Sequence, residues 1–167
     1  MFRLSKITDY GIVLLAHLAK DGEAQTHNAR EVAAEVRLPL PVVSKVLKSL
    51  ARHGLLDSQR GSKGGYSLAR RPSEITVAEM IDALEGGVAL TECSIAPLRC
   101  EHEGSCAVRD PWQVINRVVR ESLSQVTLAD LINPGFASEL SRAELLGPAA
   151  SGASPPLRVV SGAPGRE

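Results

Sequence analysis

All three cysteines of the chain, Cys93, Cys100 and Cys106, fall inside one stretch, TECSIAPLRCEHEGSCAVRD, residues 91–110. Their spacing is C-x6-C-x5-C. Thiolates are ligands for soft metals and are also nucleophiles. Glycine and proline keep the segment from settling into a regular element, so the sulfurs can turn inward around a common centre. The chain starts with MFRLSKITDYG, which has no apolar signal core with a small-residue cleavage site. Three thiols in a reducing compartment are not a disulfide framework, and metal or redox chemistry is expected. Three occupants fit the residues. An iron–sulfur cluster ranks first; it usually takes four protein ligands, one of which can be other than cysteine. Structural zinc through Cys93, Cys100, Cys106 and His102 is second, although the spacings exceed those of the usual zinc knuckle. A metal-free thiol switch is third. For a fourth ligand, His102 lies inside the loop, with Glu103, Glu92 and Asp110 as weaker candidates. Catalysis is not expected: His17, His27, His53 and His102 are scattered, no Ser-His-Asp or Cys-His arrangement is legible, and Cys93 has no identifiable base.

The elements that must position this loop follow from composition and periodicity. At 167 residues the chain is one domain, or one domain with an appendage. No apolar run approaches a membrane span, and a cytoplasmic location is expected. The zero net charge hides an asymmetry: residues 1–72 carry twelve Lys/Arg against six Asp/Glu, and residues 73–133 carry four against ten. Within Arg37–Arg71 there are eight basic residues and one acid, Asp57. Such density can neutralise phosphates, although a short basic run is more often a solvated face.

The order of elements favours nucleic acid. Residues 5–20 have the apolar spacing of a helix with one wide buried face. Asn28 suits the N-cap of a short helix, with Val32, Ala33 and Val36 inward. Two prolines in LPLP force a turn, and Pro41 suits the first position of a helix over 41–53. Val42, Val43, Val46, Leu47 and Leu50 form its core stripe; Ser44, Lys45, Lys48 and Arg52 lie largely off it. This is a helix-turn-helix, whose second helix enters the major groove. Leu55-Leu56 and Tyr66-Ser67-Leu68 read as a hairpin whose turn, RGSKGG, uses glycines for positive φ. That hairpin is a wing, with Arg60 and Lys63 at its tip able to reach the adjacent groove or backbone. The glycines lack the spacing of a nucleotide-phosphate loop. Lys6 completes the set of basic residues assigned to DNA.

Thr76–Glu79 is a capping box opening a helix to Glu85, with Val77, Met80, Ile81 and Leu84 buried; Gly86-Gly87 ends it. After the cysteines, a long helix from Asp110-Pro111 carries Trp112, Ile115, Val119, Ser122/Leu123 and Val126 as a packing seam that a two-fold partner would cover. Thr127 caps a final short helix. The fold class is mainly α: a winged helix-turn-helix with a small β-hairpin wing and a long dimerisation helix. Residues 1–72 form the DNA-binding part and 73–133 the cluster-binding loop and dimerisation helix. Residues 134–167 are a tail rich in Ala, Gly, Pro and Ser, expected to be disordered apart from a weak helix across 136–146.

Several segments together resemble the Rrf-type winged-helix regulators, the family of IscR and NsrR, and above all the subgroup that regulates SUF-system iron–sulfur cluster assembly. They are LSKITDYG, LPLPVVSKVLKSLARHGLL, RGSKGGYSLAR, ITVAEMIDALEG, LTECS, the Cys100/Cys106 pair, WQVINRVV and VTLADLI, spanning about residues 2–133. The resemblance implies a homodimeric transcriptional regulator that binds a palindromic promoter site and responds to a [2Fe-2S] or [4Fe-4S] cluster held by Cys93, Cys100 and Cys106. A nitric-oxide- or redox-responsive repressor of the same family is the alternative. The resemblance also makes Asp9, in the T-D-Y-G context, the first choice for a fourth ligand supplied by the other subunit, with His102 second; a carboxylate at Asp9 also simply suits a first helical turn. Arg60 becomes the wing residue that enters the minor groove. Two positions depart from the pattern. Arg109 stands where IscR-like members carry a histidine, and Ser44 where they read DNA with a glutamate. The operator of IscR is therefore not expected here.

Overall fold

The computed structural model describes residues 3–20, 25–61, 64–95, 100–101 and 104–138. Residues up to Pro134 form one compact unit; of the chain beyond it, only residues 135–138 are described, and the expectations for the rest of the tail lie outside that range.

Helix α1 (Lys6–Lys20) buries Leu14, Leu15, Leu18 and Ala19. Helix α2 (Ala29–Glu35) starts at Asn28, whose side chain accepts from the Arg30 and Glu31 N–H groups. Helix α3 (Leu40–Arg52) buries Val43, Val46, Leu47 and Leu50, while Val42 is half-buried. It begins at Leu40 with Pro39 as N-cap, one residue earlier than Pro41 suggests, because Pro41 is also tolerated in the second position, where no N–H is needed. Gly54 follows at φ +73, the left-handed conformation that ends helices without Cβ strain.

Strands β1 (Leu56–Gln59) and β2 (Gly65–Leu68) pair antiparallel, from Leu56 opposite Leu68 to Gln59 opposite Gly65. The roles of the wing glycines differ from expectation. Gly61 does hold φ +120. Gly64 and Gly65 are required instead by close approach: a Cβ would lie 2.4 Å from the Gln59 carbonyl oxygen and 2.3 Å from that of His27, respectively.

The Thr76–Glu79 capping box opens α4 (Val77–Glu85), which closes on Gly86 at φ +85. Leu84 is half-buried rather than buried, lying against Gly11 of α1. The cysteine stretch is not wholly irregular: Glu92–Ile95 form one helical turn, α5, containing Cys93. Helix α6 (Arg109–Ser124) and the Thr127-capped α7 (Leu128–Ile132) follow. One core unites α1, α2, α3, both strands, Ile75, Met80 and Leu128. A smaller cluster of Val77, Ile81 and Val88 takes Val119, Leu123 and Val126 against it, so α6 rests on α4. The result is a mainly α winged helix-turn-helix with a two-stranded wing.

Candidate nucleic-acid interface and metal-binding loop

The reader helix presents its polar side as its apolar stripe requires. Lys45, Lys48 and Arg52 of α3 are exposed and Ser44 is half-buried. Arg60 is exposed immediately after β1. None of these cations forms an ion pair with a described residue, so all four charges are available to an external anion. Arg70 and Arg71 are different: Arg70 pairs with Glu79 at 2.9 Å and Arg71 with Glu74 at 2.9 Å, so two charges of the basic stretch are partly neutralised within the chain. The wing is anchored by two backbone bonds, His27 N–H to Tyr66 O (2.9 Å) and Tyr66 N–H to His27 O (2.8 Å). The missing Cβ of Gly65 makes that approach possible. Lys63 lies outside the described residues.

Lys6 and Asp9 come together at the start of α1, both exposed. They line a shallow depression of about 410 Å³ with Arg3, Leu4 and Ser5. The Asp9 carboxylate bonds no described residue. Glu85, at the far end of α4, holds this helix start in place: it accepts from the Ser5 N–H at 2.8 Å and from the hydroxyl of fully buried Thr8. Those donors hold the Glu85 carboxyl below the usual carboxylate range.

Cys93, Cys100 and Cys106 are free thiols, each half-buried. The Thr91 hydroxyl lies 3.2 Å from the Cys93 sulfur and 2.9 Å from the Ser94 hydroxyl. One polar stripe of α6 grips the segment leading to Cys93. Asn116 donates to the Val88 carbonyl (3.1 Å) and accepts from the Leu90 N–H (2.9 Å). Gln113 donates to the Cys93 carbonyl at 3.4 Å. Arg120 makes a two-pronged bond to Asp82, which also accepts from the Val88 N–H at 3.3 Å. Asp82 raises the already high pKa of Arg120, so the pair stays charged. Helix α4, in turn, touches the reader: the Ser49 hydroxyl of α3 donates to the Ala83 carbonyl at 3.2 Å. An open cleft of about 540 Å³ lies between α4, α6 and the Ser94–Ile95 end of α5.

As a donor set, three half-exposed thiols suit a soft metal or an iron–sulfur cluster. Among the described residues no three His, Cys, Asp or Glu side chains converge as a metal site, and His102 and Glu103 lie outside them. The expected inward turn of the sulfurs is therefore not seen there. The clamp formed by Asn116, Gln113 and Arg120 was not legible in sequence. Their spacing marks one polar stripe, but its partners are backbone groups on a segment without periodicity.

With this geometry in view, the relatives are informative. A sequence profile of the Rrf2 family, described as an iron-dependent transcriptional regulator, matches residues 4–134. The chain belongs to the Rrf2 family. It is similar to the HTH-type transcriptional regulator NsrR of Shouchella clausii, 28% identical over 78% of this chain and 88% of that protein. Among solved structures it is similar to CymR, the global cysteine regulator of B. subtilis, with 29% identity and a TM-score of 0.61 over 79% of this chain and 97% of that one. IscR of T. potens, 23% identical with a TM-score of 0.60 over 87% of this chain and 97% of that one, shares the fold. This Rrf2 protein is accordingly a winged helix-turn-helix regulator. No helix among its described residues is long and apolar enough to cross a membrane.

Proposed function

We propose that this Rrf2 protein is a homodimeric transcriptional regulator that senses an iron–sulfur cluster and controls iron–sulfur cluster assembly genes of the SUF type. The observation that carries the reading is the continuity of contacts between the cysteine loop and the reader helix. The backbone around Cys93 is held by α6, α6 rests on α4, and α4 accepts a hydrogen bond from Ser49 of α3. Cys93, Cys100 and Cys106 would hold the cluster, with Asp9 of the other subunit as fourth ligand. The unbonded, exposed carboxylate of Asp9 favours that role, and His102 is the second choice. When bound, a cluster supplies a cross-link between distant cysteines that is sensitive to iron and oxidants. The chain's own part is mechanical. Asn116 fixes both sides of the Val88–Leu90 segment, Arg120 and Asp82 lock α6 to α4, and a change in the loop reaches the reader through these groups.

Two reading heads need a fixed separation to meet half-sites on a palindrome. Helix α6 supplies the means. It has no buried residue, and Val114 (48% exposed), Ile115 (45%) and Val118 (54%) form an apolar face beside the stripe that packs on α4. A second copy is the occupant we assign to that face. On DNA, Ser44, Lys45, Lys48 and Arg52 would meet the major groove, Arg60 and Lys63 the flanking groove or backbone, and Lys6 a phosphate. The half-exposure of all three thiols favours a second reading, a nitric-oxide- or redox-responsive repressor in which sulfur chemistry is the signal.

Anaerobic purification with iron and sulfide analysis separates these. The proposal expects coloured protein with both elements present, and their loss in Cys93→Ser, Cys100→Ser or Cys106→Ser. Colourless, iron-free protein that is folded and was expressed with ample iron would leave only the thiol reading; bound zinc without sulfide would favour a structural metal.

A further inference from the structure

Helix α2 ends in a way its sequence does not favour. Val36 closes the last turn with its N–H on the Val32 carbonyl, and Leu38 returns its N–H to the Ala33 carbonyl at 3.1 Å. The residue between them, Arg37, has φ +55. This is the left-handed position that terminates helices, and glycine is preferred there because a Cβ is strained. Arg37 is the only residue other than glycine with positive φ among the described residues.

The Leu38 N–H bond to Ala33 and the packing of Leu38 support the turn, but the Arg37 side chain adds no bond to a described residue. Arg37 is exposed and pairs with no described residue. Its nearest acidic neighbour in sequence, Glu35, is committed elsewhere, with a carboxylate oxygen 2.6 Å from His17 Nε2. The packing role of the turn belongs to Leu38, which lies against the core. What Arg37 adds is a free guanidinium in the turn between the two helices of the helix-turn-helix, two residues before the N-cap of the reader helix. In such a module the reader's N-terminal end meets the groove, so the preceding turn lies where the phosphate backbone passes. A left-handed conformation kept at one exposed residue whose side chain bonds no described group points to a use for that side chain outside the fold.

We infer that Arg37 is a DNA-backbone contact, its guanidinium bonding a phosphate oxygen and carrying no base information. The inference rests on the DNA-binding reading above. Arginine's planar fork suits phosphate, and each phosphate neutralised adds about 0.9 to the salt slope of binding.

The experiment compares wild type with Arg37→Gly, Arg37→Lys and, as a control on the reader helix, Lys48→Ala. Affinity for a promoter duplex and for an unrelated duplex of equal length is measured across a salt series, with Tm alongside. Arg37→Gly is expected to raise Tm by about 2–4 °C by relieving strain. It should weaken both duplexes by a similar factor and lower the salt slope by about one per bound subunit. Arg37→Lys, which keeps charge and strain, should stay near wild type in Tm and retain most of the affinity. An unchanged affinity and slope for Arg37→Gly, with Lys48→Ala weakened, would overturn the inference while leaving the interface intact. If Lys48→Ala and Arg37→Gly both bind as wild type does, the interface reading itself fails, and the inference with it. A fall in Tm for Arg37→Gly would make Arg37 a structural residue and also overturn it.

Discussion

Asp9 and Glu85 show how one carboxylate can be held and another left free. Glu85 is tied to Ser5 and Thr8 and fixes the start of α1 from the end of α4. Its folded-state pKa lies below the ordinary value of 4.5. A depressed carboxylate stabilises the fold above its unfolded pKa, and that contribution is lost as pH falls through the folded one. Wild type should therefore lose stability more steeply than Glu85→Gln as pH falls below the ordinary value of 4.5, measured as Tm against pH. The difference should be small, on the order of 0.5 kcal/mol, because the group is exposed and solvent screens it. Asp9 bonds no described residue, so Asp9→Ala should leave the unfolding free energy within about 0.5 kcal/mol of wild type. Iron retention should fall markedly when the protein is challenged with a chelator. Unchanged retention would remove Asp9 from the ligand set. At this scale the sequence was legible where a residue acts on its neighbours: Asn28, Thr76 and Thr127 all cap as their positions indicate. It was silent on Glu85, whose partners are about eighty positions away, and on the free state of Asp9.

Elements were legible wherever a period or a stop signal repeats. The reader helix, the wing and α4 stand close to where the apolar spacing and the glycines place them, although the first wing strand runs Leu56–Gln59 rather than Leu55-Leu56. The exceptions have physical causes. The three- and four-residue spacing of α6 describes one seam, whereas the helix carries two apolar stripes. Val119 and Leu123 pack on α4, and Val114, Ile115 and Val118 face outward. A one-dimensional pattern cannot say which stripe meets its own chain. The one-turn helix holding Cys93 is shorter than any periodicity can reveal. The wing glycines were recognised as necessary, but for two of the three the reason is space rather than φ. Gly65→Ala tests that distinction. Its Cβ would collide with a backbone oxygen, which cannot rotate away, so the His27–Tyr66 bonds must open. The expected cost is about 1–3 kcal/mol in unfolding experiments, with weaker DNA binding because the wing loses its anchor. A Tm and an affinity equal to wild type would show that the close approach is unimportant.

For the whole molecule, the charge asymmetry of the sequence maps onto a basic reading side and an acidic segment that carries the cysteine loop. Two of the basic residues counted there, Arg70 and Arg71, are partly neutralised by internal ion pairs. The outward stripe of α6 makes the assembly a specific expectation. Val118→Asp places a charge in an apolar interface and should shift the protein from dimer to monomer in sedimentation, with Tm of the monomer changed little. It should reduce affinity for a palindrome by at least about tenfold, because each head then binds alone. A variant that sediments as wild type would move the interface off this face.

The central claim is that occupancy of the cysteine loop is transmitted through α6 and α4 to the reader helix. Its most direct test is an anaerobic binding isotherm on a palindromic promoter site, taken with the cluster intact and again after the iron has been removed from the same preparation. Two isotherms separated by at least about tenfold in Kd, a difference of about 1.4 kcal/mol, are expected. Superimposable curves from preparations of proven high and low iron content would contradict it.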